Sequence, residues 1–299
     1  MVDFSKLKKS SGNLDKLKTA VEKLNSGADS GDSKENYWKC EVDKAGNGMA
    51  TIRFLPAPAV DGDDGLPWAK IFKHGFQGPG GWLLDNCLTT KNQQCPVCEH
   101  NNALWNSGIE ANKEIVRKQK RKLSYVANVY IVSDPKNPEN EGKVKLFKFG
   151  AKIFDKITEA MNPQFADETA INPFDLWTGA NFKLKIRKVE GYQNYDRSEF
   201  ESPSPLSNDD DELEKIWKSE FSLAELTADK EFKSYDDLKA RLTKVLGAET
   251  PKTTVETIRA EAKANPKKFA NNDEDPPFDV DPVSNDEDDL AYFARLADE

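Results

Sequence analysis

The sequence predicts a mainly β protein with added helices: a small Greek-key barrel core that carries an insertion, with a helical arm before it and an acidic tail after it. Three observations lead to this class. Five stretches read as strands, namely Tyr37–Val42, Met49–Leu55, Leu123–Val132, Lys143–Phe149 and Asn181–Val189. Three of the four cysteines and one of the two histidines crowd into His74–Cys98, between the second and third of these. Charge, finally, is divided unevenly along the chain.

Taken in order, residues 1–25 place Phe4, Leu7, Leu14, Leu17, Val21 and Leu24 at helical spacings with lysines between them, an amphipathic arm broken at Ser10-Ser11-Gly12. Lys6, Lys8 and Lys9 form a small basic cluster before that break. Residues 26–36 are polar and small, and read as a flexible linker. The core is expected over 37–248. Ala45-Gly-Asn-Gly48 supplies a hairpin turn between the first two strands. Asp61-Gly-Asp-Asp-Gly65 lacks the later glutamate and the ligand spacing of a calcium loop, and reads as a turn. The Pro-rich segment Asp134–Gly142 separates the third and fourth strands. Helices are expected at Ile153–Met161, at Asp209–Trp217, whose acidic residues suit the positive end of the dipole, and at Ser234–Leu246, capped by Ser234 and stopped by Gly247. There is no internal repeat. Over 249–299 the periodicity fades, and Asn271–Asp289 is expected to be disordered. Leu290, Tyr292, Phe293 and Leu296 are placed to form a short helix on meeting a partner.

A chain of 299 residues with 37% hydrophobic and 32% charged residues can bury one sizeable core and still leave segments outside it. No apolar run reaches the length of a membrane span, and MVDFSKLKKSSG lacks the apolar centre of a signal peptide, so a soluble, intracellular protein with reduced thiols is expected. Residues 1–200 hold 30 Lys and Arg against 26 Asp and Glu, whereas residues 271–299 hold 1 against 11. The acidic excess therefore belongs to the tail, and the body is near neutral with basic clusters.

The spacing His74-x12-Cys87-x7-Cys95-x2-Cys98 reads as a metal site. Cys95-Pro-Val-Cys98 aims two sulfurs at one point, and the glycines from Gly78 to Gly81 allow a turn that brings His74 and Cys87 back to it. Three thiolates and an imidazole suit one tetrahedral, structural zinc ion with no position left for a reactive water. A redox Cys-x-x-Cys would sit where a strand enters a helix, and the preceding segment reads as turn-rich and strand-poor. A nucleobase deaminase would need His-x-Glu, but the sequence has His74-Gly75-Phe76. Cys40 shares an apolar face with Trp38 and Val42 and reads as core. His100 is either a rival fourth ligand or a solvated histidine at a helix start.

The densest basic run is Arg117-Lys-Gln-Lys-Arg-Lys122, which leads into a strand with Tyr125. Lys143, Lys145, Phe147 and Phe149 share one strand parity, as do Lys183, Lys185 and Arg187, and Tyr192 and Tyr195 follow the latter. Cations for phosphates and rings for bases are the ingredients of single-strand binding, although each aromatic taken singly is expected in the core. No phosphate-cradling loop or nucleophile motif is present, so an enzyme is the weakest class of reading.

Together these features resemble the single-stranded DNA-binding proteins of T-even-type bacteriophages. GNGMATIRFLP, KHGF, KRKLSYVAN, NPENEGKV, FGAKIFDKI and GANFKLKI…NYD carry the likeness over residues 37–247. The resemblance implies an OB-fold core whose groove holds single-stranded DNA, with a zinc subdomain at about 72–110 shaping it. It also implies an arm for cooperative self-association and a tail that docks replication and recombination proteins. The setting would be the cytoplasm of the infected bacterial host. Carried over by position, the zinc ligands are His74, Cys87, Cys95 and Cys98. The groove includes Lys120, Arg121, Lys122, Tyr125, Phe147, Tyr192 and Tyr195, with Trp82 and Trp105 as further stacking platforms. Lys8, Lys9, Ser10 and Ser11 stand for the arm's basic-then-hydroxyl motif. Leu83 and Val126 depart from the family, which often has aromatics there. The function expected is a non-enzymatic coat on single-stranded DNA in replication, recombination and repair; the alternative is a zinc-stabilised RNA-binding regulator.

Overall fold

The computed structural model describes residues 36–247 apart from 63, 64 and 166. The expectations for the arm (Lys8, Lys9, Ser10, Ser11), most of the linker and the tail lie outside the described residues. The strands are β1 (Tyr37–Trp38), β2 (Gly48–Phe54), β3 (Ala69–Gly78), β4 (Gly81–Asn86), β5 (Lys122–Ser133), β6 (Val144–Phe149), β7 (Phe182–Val189), β8 (Tyr192–Asn194) and β9 (Glu199–Phe200). The helices are α1 (Pro96–Asn106), α2 (Glu110–Gln119), α3 (Ala151–Met161), α4 (Asp210–Lys218) and α5 (Tyr235–Leu246). None of the described helices is long and apolar enough to cross a membrane.

β5 is the spine of the sheet because it is long enough to serve three neighbours. One edge pairs Val129–Ser133 with β2 and Lys122–Val126 with β3, while the opposite edge pairs Tyr125–Tyr130 with β6. β2 continues to β7, and β7 to β8 and β9, giving the order β1-β6-β5-β2-β7-β8 with β3, β4 and β9 branching from it. Every pairing with a defined register is antiparallel, as hairpin-built β proteins require.

Alternation then sorts the side chains. Ile52 and Phe54 from β2, Tyr125, Ala127, Val129 and Ile131 from β5, Phe147 and Phe149 from β6, and Phe182, Leu184 and Ile186 from β7 form the first core. α3 covers it through Ile153 and Ile157, the apolar stripe of an amphipathic helix. Trp38 and Cys40 join this core as expected, and Trp38 Nε1 donates to the buried Asp134 carboxylate at 2.8 Å. Only Tyr37–Trp38 of the expected first strand is extended in a ladder.

A second core lies around the β3–β4 hairpin. Phe76, Leu83, Cys87, Leu88, Cys95 and Val97 pack there with Leu238, Leu242 and Val245 of α5. The segment expected to be turn-rich is thus a ten-residue strand and a six-residue strand joined at Gly78–Gly81. α5, which lies outside residues 72–110, packs on this hairpin. That contact is close: Gly80 N donates to the Val245 carbonyl at 2.8 Å, satisfying one of the acceptors left over at the end of α5. Asp85 of β4, nearly buried, receives Lys233 at 2.8 Å and Arg241 of α5 at 2.7 Å.

Candidate metal centre and nucleic-acid interface

The hairpin and α1 bring four soft donors to one point. His74 lies on β3, and Cys87 follows β4 directly, with its amide bonded to the Phe72 carbonyl at 2.8 Å. The chain then turns through Leu88–Lys91 and the left-handed Asn92 (φ 56°) into Cys95, which precedes Pro96 at the first position of α1; Cys98 follows one turn later. His74 Nε2 is 3.4 Å from Cys95 Sγ and 3.6 Å from Cys98 Sγ, and Cys87 Sγ is 3.5 Å from Cys98 Sγ. All four ligand atoms lie within 4.8 Å of one another. A tetrahedral ion about 2.3 Å from each sulfur and about 2.0 Å from nitrogen would hold such atoms about 3.5–3.8 Å apart, so the group can hold a metal ion.

The electrostatics fit the same conclusion. Burial opposes charge on His74, but its contacts with Cys87 and Cys95 outweigh that and push the imidazole up to about 9. Hydrogen bonds from Cys87 and Cys98 lower Cys95, whereas the neighbouring sulfurs raise Cys98. One thiolate already suppresses ionisation of the next, a conflict that a bound cation resolves. His100 is not in the group; it sits half-buried on α1, its basicity lowered by desolvation. The second expectation for it, a solvated side chain, is therefore only half met. The strand-poor premise used against a redox pair fails as well, since Cys95–Cys98 does open a helix. What argues for a metal is the convergence of His74 and Cys87 on the same point.

From the metal centre a chain of contacts runs to the basic segment. Thr89 Oγ1 is 3.1 Å from Cys87 Sγ and accepts a hydrogen bond from Arg121 Nη1 at 2.7 Å. The Arg121 guanidinium in turn lies 4.4 Å from the centroid of the Phe72 ring, and Lys70 Nζ approaches the same ring at 5.2 Å. The basic run itself is divided. Arg117 lies on α2, where it pairs with Glu110 and Glu114, while Lys120 and Arg121 form the connection and Lys122 begins β5.

The expected aromatic platforms separate into two groups. Tyr125 and Phe147 are buried in the first core, Tyr125 stacked on Phe154 at 3.9 Å and Phe147 on Phe149 at 5.3 Å, so they support the surface from beneath. Tyr192 is 43% exposed on β8, and Tyr195, Trp82 and Trp105 are half-buried. Trp105 carries Lys113 and Arg117 near its ring. Leu83 and Val126 are both interior. The cations of β7, expected as part of a basic stripe, are matched instead: Lys183 with Glu201, Lys185 with Glu199, and Arg187 with Asp196. Sequence reasoning passed over Lys70, Phe72 and Lys73, although a ring between two lysines was there to be seen.

An antiparallel sheet, an inserted Cys3His group and an adjoining surface of cations and rings place the chain in the class of β-sheet nucleic-acid-binding proteins. Comparison with known proteins narrows the class. The profile of the family described as "gp32 DNA binding protein like" matches residues 46–246. The chain is 41% identical over 218 residues to the single-stranded DNA-binding protein of Enterobacteria phage T2, covering 70% of each chain. It is 38% identical over 239 residues to that of Enterobacteria phage T4, covering 77% of each. The chain belongs to this family.

Proposed function

We propose that the protein binds and coats single-stranded DNA in phage replication, recombination and repair, inside the infected bacterial cell, and is not an enzyme. The relationship to the T2 and T4 single-stranded DNA-binding proteins over most of the chain carries this reading. In it, the first core is an OB-type fold, Lys120, Arg121 and Lys122 hold phosphates, and Tyr192, Tyr195, Trp82 and Trp105 offer rings to unstacked bases. Tyr125 and Phe147 hold that surface from the interior. Zinc suits the quartet of His74, Cys87, Cys95 and Cys98, where four protein ligands close the coordination sphere and give the metal a structural role. Cooperative self-association is assigned to residues 1–25, with Lys8, Lys9, Ser10 and Ser11 as its motif, and docking of replication and recombination proteins to the acidic residues 249–299.

A competition titration with length-matched DNA and RNA oligomers tests the reading. Preferential binding of the single-stranded DNA is expected. Tighter binding of the RNA would favour the RNA-binding regulator, because a contact specific for the ribose 2′-hydroxyl would then be at work, and equal binding would remove the preference for DNA.

A further inference from the structure

Cations on this surface fall into two populations, and the division locates a phosphate-binding row outside the basic run. On β7 each of Lys183, Lys185 and Arg187 faces a carboxylate on β9 or within a few residues of it. On β3 the situation is the reverse. Lys70 and Lys73 are exposed, and neither has a carboxylate within ion-pair distance among the described residues. The register places Lys73 directly opposite Lys122, and like charges facing one another across a strand pair are destabilising. Lys70, opposite Tyr125, leans on the outer ring of Phe72, whose neighbour is the Arg121 guanidinium. Successive side chains on a strand point to opposite faces, so Lys70 shares a face with Phe72, while Lys73, where β3 pairs with both β4 and β5, shares the other with Lys122.

Lys73 gains little in stability from a place opposite a second lysine. A polyanion laid along β3 turns it to advantage, because phosphates can pair with Lys70 and Lys73, which have no carboxylate partner among the described residues, and desolvate little of the lysine stems. We propose that Lys70 and Lys73 form a second phosphate-binding row, which continues the surface of Arg121 and Lys122 onto β3, and that the β7 cations are a structural ladder that takes no phosphate. The inference rests on the single-stranded DNA reading and adds the path of the strand: along the β3–β5 junction beside the metal module.

The test is the salt dependence of oligothymidylate affinity in three double variants of the full chain: Lys70→Gln with Lys73→Gln, Lys70→Arg with Lys73→Arg, and Lys183→Gln with Lys185→Gln. Each phosphate contact contributes about 0.7 to the slope of log affinity against log salt for a single strand. The first variant should therefore lose about 1.4 from that slope, with unchanged melting temperature and metal content, while the arginine pair keeps the wild-type slope. The β7 pair should also keep it. A wild-type slope in the first variant, or an equal loss in the β7 variant, overturns the proposed row and leaves DNA binding intact. Failure of the wild-type protein to bind the oligomer at low salt would instead strike the functional reading itself.

Discussion

Replacing Gly80 by alanine is the sharpest probe of how α5 is held. An ideal Cβ at Gly80 would stand 2.9 Å from the Lys244 carbonyl carbon and nearer still to its oxygen, and 3.2 Å from the Val245 oxygen. Carbon atoms in contact prefer about 3.5–4.0 Å, so the turn and the end of α5 must part by roughly 1 Å. Overpacking of that size costs about 1–3 kcal/mol. The Gly80 N to Val245 O hydrogen bond is strained or lost with it, which adds about 1 kcal/mol. The total is about 2–4 kcal/mol, or roughly 5–15 °C in melting temperature for a core of this size. Gly150→Ala is the control, because nothing lies within 4 Å of its Cβ position and its φ of −95° is open to any residue; it should cost less than about 1 kcal/mol. Thermal melting gives the magnitude, and hydrogen exchange should place the loosening at Leu238, Leu242 and Val245. If Gly80→Ala melts within a degree of wild type, α5 does not rest on the hairpin turn and the second core is misdrawn.

Three further expectations follow from the site and from one buried acid. Thr89→Val removes the hydroxyl between Cys87 and Arg121, and should weaken single-stranded DNA binding while metal content is unchanged; unchanged affinity would dissolve the proposed link. Tyr192→Ala should lose about 1–3 kcal/mol of binding with little change in salt slope, since a stacking ring carries no charge; a flattened slope with full affinity at low salt would contradict stacking. Glu220 is buried with neither carboxylate oxygen bonded among the described residues, and desolvation, aided by Asp61, pushes it from 4.5 up to about 9. The folded state thus keeps a proton that the unfolded chain releases, so stability should fall as pH rises from about 4.5 to about 9. Glu220→Gln should flatten that part of the profile and exceed wild type at alkaline pH; parallel profiles would mean that Glu220 does not titrate as stated.

Much of the fold was legible because most of its elements face a single core. β2, β5, β6 and β7, and helices α3, α4 and α5, lie within two residues of the stretches expected from alternation and helical spacing. Ser234 caps α5 as its sequence implies, accepting from Asp237 N. β3 escaped detection for a physical reason. Ala69 and Ile71 are buried on one parity and His74 and Phe76 on the other, because the strand leaves the sheet midway to form the hairpin of the second core. A pattern that changes phase looks like no pattern. α1 and α2 carry few apolar residues, and α1 is fixed by Cys95 and Cys98 and by packing on α5, information that is not local. The four residues that could hold a metal ion were legible from spacing alone, whereas the matching of β7 cations with Asp196, Glu199 and Glu201 depends on strand register.

A metal ion held by His74, Cys87, Cys95 and Cys98 is expected to keep the single-stranded DNA surface in shape. Affinity for an oligothymidylate should be measured at one salt concentration on protein as purified, after removal of the metal by a chelator, and after refilling with zinc. The account predicts a loss of about tenfold or more on removal, with loosening of α5, and recovery of both on refilling. Undiminished affinity in metal-free protein, with α5 still protected from exchange, would contradict it.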